Sequence, residues 1–580
     1  MHKLFLLSLL FLLQLTNAVA QENTPEPLHV KFDKEFYLAG EDIWYSVFFL
    51  SPQTRQSEIV RTELWGPNGE KIISQQLKVE EGRSWGDIAL PANLPNGYYI
   101  FRAYTLWNLN FTPKVLFSQA IPVFQPEIED SPESPLTANS YQPQQVGGLR
   151  VSPIGVKFRP REKISFSIQG PATASTNIPL SIIVKDANYW GEGPTLLNAV
   201  EQSKELNFAF APPAEGLILP EVTLRNTFSI RRPDNGKLVE SPYVVGFVNQ
   251  TGQRLVKPVT KGVVSFEFVD FYDSTQVQIF DASPYEATYT PVVSRISLED
   301  ALPPPTIDKD IPPKTPLVQN YIQEYQRRFQ LEKLFGSLEN IRARRNVVKA
   351  KRPTPTSSYE VDAYNPFGGM ENFIKNAVPP LGVRTRKKKN AEGFFDPDNP
   401  TYDKSFKLYI PNDFTLTRNK RIRKPPLLQV NEFFTYDKEA VWALPWSNIA
   451  RLDIYNRLLT LPDQFGPIGN FGVISFVTRD GKTPDEIANS PNNVVIPGYY
   501  APRIFNLTDL SDLGPLDSKI PDFRPIFYWN PSVNISTEES IPFEFFASDK
   551  PGRYVIQMET VGADGKPILY EHVFSIGMDQ

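Results

Sequence analysis

Apolar and polar residues alternate in short runs along most of this chain, and turn-forming residues separate the runs. In one run Ile43, Tyr45, Val47 and Phe49 are spaced two apart, and a turn at 94–97 precedes a second run, YYIFRAYTLW. A period of two is typical of half-buried β-strands. The 55 prolines and the 12% aromatic content suit many short strands better than long helices. The pattern therefore predicts a mainly β chain.

Proline-rich stretches divide these runs into several domains, as expected for a chain of 580 residues. One stretch differs, because Val318, Ile322, Tyr325 and Phe329 recur at the helical spacing of three and four. The predicted segments are a signal peptide at 1–20, a β-sandwich at 21–126, a linker at 127–145, a second β-sandwich at 146–215, a small β domain at 216–295, a proline-rich linker at 296–317, a helix at 318–350, an α+β domain at 351–490 and a C-terminal β-sandwich at 491–580.

The N-terminus has the features of a secretory signal peptide. A polar start at His2 and Lys3 precedes an apolar core at 4–15, and Ala18 and Ala20 form an A-x-A cleavage site. The alternative is a retained N-terminal membrane anchor. The chain has no cysteine, which excludes disulfides and an acylated-cysteine lipid anchor. We therefore expect an exported protein.

Positive charge is concentrated in one region, although the whole chain has a net charge of −5. Between Asn320 and Pro425 there are 22 Lys and Arg residues against 11 Asp and Glu residues, a local charge of +11. The basic patch that we single out for partner binding consists of Arg384, Arg386, Lys387, Lys388, Lys389, Arg418, Lys420, Arg421, Arg423 and Lys424.

Such a patch favours an acidic protein surface, an anionic lipid or lipopolysaccharide as a partner. The alternative is a solvated loop whose charge offsets the acidic domains. Nucleic acid is not expected, because no base-stacking motif accompanies the charge.

Catalytic and metal-binding motifs are missing from the sequence. The mature chain has only two histidines, His29 and His572, so a catalytic triad or a zinc site would have few side chains to draw on. No phosphate-binding loop, dinucleotide-binding fingerprint, nucleophile elbow or zinc-protease motif occurs. We therefore expect no enzyme activity, no catalytic residue, no cofactor and no metal, and a hydrolase is the further class left open.

The segment Ser447–Gly481 resembles the end of the plug domain of TonB-dependent outer-membrane receptors. The matching positions are Ile449, Leu452, Asp453, Ile454, Phe465, Gly466, Gly469, Gly472, Val473, Ile474, Phe476, Thr478 and Arg479. A second match begins at Pro426, although Asn431 and Glu432 stand where the family has Asp-Gly. A receptor barrel needs at least about 220 residues, and about 100 residues follow Gly481. We therefore expect a plug-like domain without a barrel of its own.

Five glycines are expected to have structural roles in turns. They are Gly40, Gly97, Gly466, Gly469 and Gly472. Glycine permits left-handed backbone conformations and close approach between strands. We therefore do not expect these glycines to contact a ligand.

The segment from Asp33 to Trp44, DKEFYLAGEDIW, resembles the MG2 β-sandwich of α-macroglobulins. The macroglobulins that trap proteases use a cysteine-containing thioester, which this cysteine-free chain cannot form. Together with the plug-like segment and the later RPIFYWNP stretch, the chain resembles a family of large exported proteins of Bacteroidota. The resemblance implies several Ig- or MG2-like β-sandwiches plus one α+β plug-like domain, located in the periplasm or at the outer membrane.

These expectations converge on a non-enzymatic cell-envelope scaffold or accessory subunit. Its plug-like domain would dock to an outer-membrane or periplasmic protein, with a β-barrel complex among the candidates. The alternative is a glycan- or nutrient-binding accessory protein of an outer-membrane uptake system. In that case Trp44, Trp65, Trp85 and Trp107 would stack on sugars, although core positions explain these residues better.

Overall fold

In a computed structural model the chain is mainly β, as the sequence predicts. The structure describes residues 23–127, 142–171, 178–189, 196–205, 207–214, 216–282, 289–297, 302–335, 353–364, 368–387, 402–410, 425–505 and 520–577. These residues form two compact units, each made of separate stretches of sequence. Unit 1 comprises Met1–Val222, Pro303–Arg345 and Tyr500–Gln580, and unit 2 comprises Thr223–Leu302 and Asn346–Tyr499. The predicted signal peptide lies outside the described residues.

The first sandwich of unit 1 has a three-stranded and a five-stranded sheet. Its strands are β1 (Leu28–Phe32), β2 (Tyr37–Leu38), β3 (Asp42–Phe49), β4 (Ile59–Trp65), β5 (Lys71–Lys78), β6 (Arg83–Ala89), β7 (Gly97–Tyr104) and β9 (Phe117–Phe124). The sheet orders are β1-β3-β6 and β2-β9-β7-β4-β5. Ile43, Tyr45, Val47 and Phe49 of β3 all enter the core between the sheets, so the alternation seen in the sequence marks the buried face.

The second sandwich of unit 1 is built from two distant parts of the sequence. Its strands are β10 (Gln145–Val146), β11 (Arg150–Val151), β12 (Lys157–Phe158), β13 (Lys163–Gln169), β14 (Ile178–Asp186), β30 (Ile526–Ile535), β31 (Ile541–Phe546), β32 (Gly552–Val561) and β33 (Pro567–Ile576). One sheet has the order β10-β33-β32-β14-β30, with β12 also on β33, and the other has the order β11-β13-β31.

This pairing corrects the predicted domain organisation. The segments 146–215 and 491–580 were expected to form separate sandwiches, but β14 is hydrogen-bonded to β32 on one side and to β30 on the other. Residues from both segments also share one apolar core. Alternation along a strand shows which face is buried but does not identify the neighbouring strand, so the sequence pattern could not join the two segments.

Helices are few in unit 1. The elements that complete it are the strand pair β8 (Phe111–Thr112) and β15 (Ala209–Phe210), α1 (Leu196–Glu205) and α2 (Pro316–Phe335). The helix expected at 318–350 is α2 as far as Phe335, and the remainder lies outside the described residues. Val318, Tyr321 and Ile322 of α2 are buried in an apolar cluster with residues of both sandwiches.

Unit 2 contains a third sandwich and an α+β domain. The sandwich strands are β16 (Leu224–Arg231), β17 (Ser241–Val248), β18 (Arg254–Val259), β19 (Val263–Phe268), β20 (Ser274–Asp281), β21 (Val292–Ile296) and β29 (Asn493–Pro497). They form sheets of order β19-β16-β21 and β18-β17-β20-β29. Because β29 pairs with β20, the start of the expected C-terminal sandwich at 491 belongs to the third sandwich instead.

The α+β domain has a five-stranded sheet of order β22-β27-β28-β25-β26 and a separate hairpin, β23-β24. Its elements are β22 (Ser357–Glu360), α3 (Met370–Ala377), β23 (Leu381–Lys387), β24 (Tyr402–Leu408), β25 (Leu427–Val430), β26 (Phe433–Thr435), α4 (Lys438–Trp442), β27 (Ile449–Tyr455), α5 (Leu461–Phe465), β28 (Val473–Thr478) and α6 (Asp485–Ala488). The described residues also include short 3₁₀ turns at Pro52–Thr54, Trp107–Asn110, Ala187–Tyr189, Val361–Ala363, Trp446–Asn448 and Gly466–Gly469.

None of the helices in the described part of the chain combines the length and the apolar character that a membrane span requires.

The DKEFYLAGEDIW segment forms a buried polar network in unit 1. Asp33 Oδ1 accepts hydrogen bonds from the Tyr37 hydroxyl at 2.5 Å and from the backbone N–H of Trp44 at 2.8 Å. Glu41 forms an ion pair with Lys34, with 2.8 Å between Oε2 and Nζ. These bonds hold the turn between β2 and β3 in one conformation, because buried polar groups need partners.

Tyr321 of α2 completes this network. Its hydroxyl donates to Glu41 Oε1 at 2.7 Å and accepts from Lys34 Nζ at 3.3 Å, and Arg328 lies 3.8 Å from the same carboxylate. Burial raises the pKa of Glu41, but Lys34 and Arg328 hold that pKa below its usual value. The ionised carboxylate therefore ties the helix to the first sandwich.

Tyr321→Phe is expected to weaken the attachment of α2. The change keeps the ring but removes a donor from a buried carboxylate, which should destabilise this contact by about 1–3 kcal/mol. Amide hydrogen exchange of α2 should therefore become faster. The matched control is Tyr402→Phe, because Tyr402 is exposed in unit 2. Unchanged exchange of α2 in the Tyr321 variant would contradict the proposed tie.

A second test concerns His29, a buried residue of β1. Its Nε2 has no hydrogen-bond partner among the described residues, and burial, with a smaller effect of Lys31, lowers its pKa from 6.5 to about 3. As the pH falls below 6.5 the unfolded chain therefore binds the proton more readily than the folded chain. The stability contributed by neutral His29 is complete above pH 6.5 and is lost as the pH falls towards 3.

His29→Phe should remove this pH dependence, because phenylalanine does not titrate. The free energy of unfolding of the wild type should fall relative to that of the variant by up to about 1.4 kcal/mol per pH unit below 6.5. Chemical denaturation followed at several pH values measures this difference. His29→Gln, a second neutral replacement, should flatten the profile in the same way, and parallel profiles for wild type and variants would refute the assignment.

Candidate functional site

The hairpin of β23 and β24 has one apolar face and one polar face. Leu381, Val383 and Phe406 pack into or against the core of the α+β domain. Side chains alternate between the two faces of a strand, so Arg384 and Arg386 lie on the opposite face, where both are exposed. The hairpin therefore presents two guanidinium groups to solvent.

Lys407 extends this cationic face, because it is opposite Gly382 in the hairpin register and is also exposed. Lys387 lies at the end of β23 and is exposed as well. Within the described part of the chain, no carboxylate is within 4.0 Å of the charged groups of Arg384, Arg386, Lys387 or Lys407. Their charge is therefore not neutralised by an ion pair there. We call Arg384, Arg386 and Lys407 the outward basic face.

Other basic residues at the hairpin are paired. Glu371 of α3 accepts from Lys375 and Lys404, each at 2.7 Å, and these bonds lower its pKa. Lys438 of α4 is ion-paired with Asp403. The charges of Lys375, Lys404 and Lys438 are thus compensated, and Asp403, which is opposite Arg386 in the hairpin register, is ion-paired with Lys438.

Seven residues of the sequence-predicted patch lie outside the described part of the chain. They are Lys388, Lys389, Arg418, Lys420, Arg421, Arg423 and Lys424. The described structure therefore contains Arg384, Arg386 and Lys387 together on one strand and leaves the rest of the patch as a prediction.

Three of the predicted glycines, Gly40, Gly466 and Gly472, have positive φ angles that favour glycine, and at the last two a side chain would also crowd its neighbours. Gly466 has a φ of 66°, and a Cβ atom there would lie 3.2 Å from Arg254 Cδ and 3.4 Å from Val245 Cγ1. Gly472 has a φ of 84°, and a Cβ atom would collide with Leu408. Any other residue would therefore strain the backbone and crowd the neighbouring strands.

Gly40, Gly469 and Gly97 differ among themselves. Gly40 has a φ of 90°. Gly469 lies in a 3₁₀ turn, where a Cβ atom would collide with Phe465. Gly97 does not have a positive φ and begins β7, where a Cβ atom would lie 3.0 Å from Pro67 Cγ. Glycine is therefore needed at this position because the backbone packs closely against the proline ring, and not because the turn is left-handed.

Asn431 lies in the turn after β25, at a position where the sequence resemblance led us to expect Asp-Gly. Its φ is 53°, a left-handed conformation that asparagine adopts more readily than most residues. Its Nδ2 donates to Thr478 Oγ1 at 3.0 Å and to Thr483 Oγ1 at 3.2 Å, and the Thr478 N–H donates to its Oδ1 at 3.0 Å. These side-chain bonds hold the turn after β25 without a glycine.

The tryptophans proposed for sugar stacking are mostly inaccessible. Trp44, Trp65 and Trp107 are buried, and Trp85 is half-buried. The ring of Trp44 is covered edge-on by Phe505, with 5.5 Å between the ring centroids. These four residues therefore do not form an exposed aromatic row.

His29 and His572 lie in different sandwiches. His29 belongs to β1, where its ring stacks on Phe48 with 6.5 Å between the centroids. His572 belongs to β33, and its Nε2 is 3.0 Å from the carbonyl oxygen of Gly155. The contacts of His29 are thus ring packing in a buried core, and the contact of His572 is with a backbone carbonyl.

A cleft in unit 2 was not predicted from the sequence. Its volume is about 1110 Å³, and it lies between one face of the five-stranded sheet and turns of the third sandwich. Ser358, Gln429, Asp453 and Ser475 form a row across the floor, one from each of four neighbouring strands. The sequence signal was a polar residue at alternate positions of otherwise apolar strands, as in LLQV, LDIY and VISF.

Comparisons with known proteins give no family for this chain. No protein-family model matches it, and no curated protein matches it.

Solved structures provide distant matches. The chain is similar to Escherichia coli α-2-macroglobulin activated by porcine elastase, at 11% identity and a TM-score of 0.23, over 95% of this chain and 44% of that chain. It is similar to Salmonella α-2-macroglobulin reacted with methylamine, at 11% identity and a TM-score of 0.24, over 96% of this chain and 40% of that chain. A DUF4785 family protein of Legionella pneumophila matches 44% of this chain and 52% of its own length, at 10% identity and a TM-score of 0.14. The chain thus spans less than half the length of the macroglobulins that it matches, and similarity at this level transfers neither a function nor a domain assignment.

Proposed function

We propose that this chain is a non-enzymatic scaffold of the cell envelope that docks to an outer-membrane protein complex through its α+β domain. The outward basic face of the hairpin carries the proposal. Arg384, Arg386 and Lys407 are exposed together, and within the described residues none has an ion-pair partner. Three unpaired cations on one strand pair suit contact with an anionic surface.

The resemblance of Ser447–Gly481 to a receptor plug supports the choice of partner. The α+β domain would approach a periplasmic or outer-membrane protein, with a β-barrel component as the proposed target. Exposed charges mainly accelerate encounter and make it sensitive to salt, whereas buried contacts determine how long a complex lasts. The outward basic face would therefore guide association, and the expected location is the periplasm or the periplasmic side of the outer membrane.

Neutralising the outward basic face tests this function. The variant R384Q/R386Q/K407Q should associate with its partner about tenfold more slowly than the wild type, because electrostatic steering is lost. The difference should be large at about 50 mM salt and small at about 300 mM salt, where charges are screened. Association with solubilised outer membranes from the native host, immobilised on a sensor surface, gives the rates, and mass spectrometry of the captured material identifies the partner.

A matched control removes the same charge elsewhere in unit 2. Lys237, Lys257 and Lys261 are exposed residues of the third sandwich. The variant K237Q/K257Q/K261Q should keep the wild-type rate. Equal rates for both variants would refute docking through the hairpin. Binding to vesicles of anionic lipid or to lipopolysaccharide, with no protein captured, would show that the surface contacts lipid and would overturn the scaffold proposal.

A simpler deletion of 320–481 would not be a clean test. It would remove Tyr321, whose hydroxyl is bonded to Glu41 in unit 1. Loss of binding would then reflect damage to the first sandwich as well as loss of the α+β domain. Substitution of exposed side chains avoids this problem.

A further inference from the structure

The cleft of unit 2 has the size of a ligand site. Small-molecule sites usually enclose about 300–1,000 Å³, and this cleft has a volume of about 1110 Å³. Its floor is the face of the β22-β27-β28-β25-β26 sheet that does not carry the core of the α+β domain. The core lies on the other face, where Leu452, Ile454, Ile474 and Phe476 are buried.

Free side-chain amides reach the cleft from two sides. Gln429 belongs to the floor, and Asn249 and Gln276 belong to the third sandwich. All three residues are partly exposed, and within the described part of the chain none of their side-chain amides has a hydrogen-bond partner. Each amide offers both donors and an acceptor. The cleft therefore presents groups that complement a ligand rich in hydroxyls, which also donate and accept.

The charged residues that line the cleft give it no excess of positive charge. Arg451 Nε donates to both carboxylate oxygens of Asp453, at 3.0 and 3.1 Å, and the Ser358 hydroxyl donates to the same carboxylate at 2.5 Å. Arg254 donates to the backbone carbonyl of Pro462 at 2.6 Å. Arg254 Nε has no hydrogen-bond partner among the described residues, but Glu432 and Asp463 also line the cleft and oppose the binding of an anion. A neutral ligand fits this arrangement better than a charged one.

The backbone of the central floor strands is not available for recognition of a peptide, although the edge strands β22 and β26 each have one side unpaired among the described residues. β27 is paired on both sides, with β22 and β28, and β25 is paired on both sides, with β28 and β26. Peptides that bind by strand addition need a free sheet edge. Side chains therefore recognise a ligand that lies over the centre of this floor, and the half-buried ring of Phe433 adds an apolar surface beside them.

We propose that this cleft binds a neutral oligosaccharide. Its hydroxyl groups would bond to the amides of Gln429, Asn249 and Gln276, and the apolar face of a sugar ring would pack against Phe433. The site is distinct from the outward basic face, so the proposal does not depend on docking to an envelope partner.

The test uses the full-length mature protein on an array of neutral and acidic glycans and unstructured peptides, followed by calorimetric titration of each glycan bound. The wild type should bind at least one neutral glycan. Gln429→Trp and Gln276→Trp place an indole in the cleft from its two sides and should each weaken binding at least about tenfold. Ser265→Trp is the control, because Ser265 is exposed on the third sandwich and does not line the cleft.

Folding is checked by thermal unfolding of each variant, and two different tryptophan positions protect against a local defect in either. Amide hydrogen exchange should slow at 247–252 and 427–433 when the glycan is added. No neutral glycan bound, binding of peptides or acidic glycans alone, or wild-type affinity in both cleft variants would each overturn the proposal. The cleft variants should retain the salt-dependent association governed by the hairpin, which separates failure of this site from failure of the scaffold function.

Discussion

The antiparallel pairing of β14 with β30 and β32 is the constraint on which the architecture of this chain depends. It places residues 178–186 between residues 526–535 and 552–561 in one sheet. The chain between these strands must therefore leave unit 1 and return to it. It does so twice, because 303–345 belongs to unit 1 while 223–302 and 346–499 belong to unit 2. Unit 2 is consequently an insertion with four chain connections, and contacts of such long sequence separation are expected to slow folding.

The segment 303–345, which returns to unit 1, is held there by an apolar cluster around α2 and by a buried polar network. Tyr321 bonds to Glu41, and Glu41 pairs with Lys34, inside a cluster that also contains Asp33 and Tyr37. The DKEFYLAGEDIW motif thus has a structural role in this protein, because its acidic and basic residues bind the side chain of Tyr321 and position α2. Buried ion pairs add little net stability but penalise any arrangement that breaks them. The network therefore selects one position for the helix more than it strengthens the fold.

Much of the local structure could be predicted, and the long-range structure could not. The spacing of Ile43 to Phe49 identified a strand and its buried face, and the spacing of Val318 to Phe329 identified a helix. Both patterns depend only on residues that are close together in the sequence. The shared sheet of the second sandwich depends on partners over 300 residues away. For the candidate sites, Arg384 and Arg386 were found by charge alone, whereas the row of Ser358, Gln429, Asp453 and Ser475 exists only after four strands align.

The divided construction of the second sandwich has a consequence for damage to the chain. A premature stop or a protease cut that removed 526–577 would take away both neighbours of β14 and leave two unpaired edges on a strand whose residues are largely buried. Exposed strand edges of this kind pair readily with other chains. Loss of less than a tenth of the sequence at that end would thus make unit 1 prone to aggregation. Cleavage in an exposed loop of unit 2, by contrast, would leave both neighbours of β14 in place.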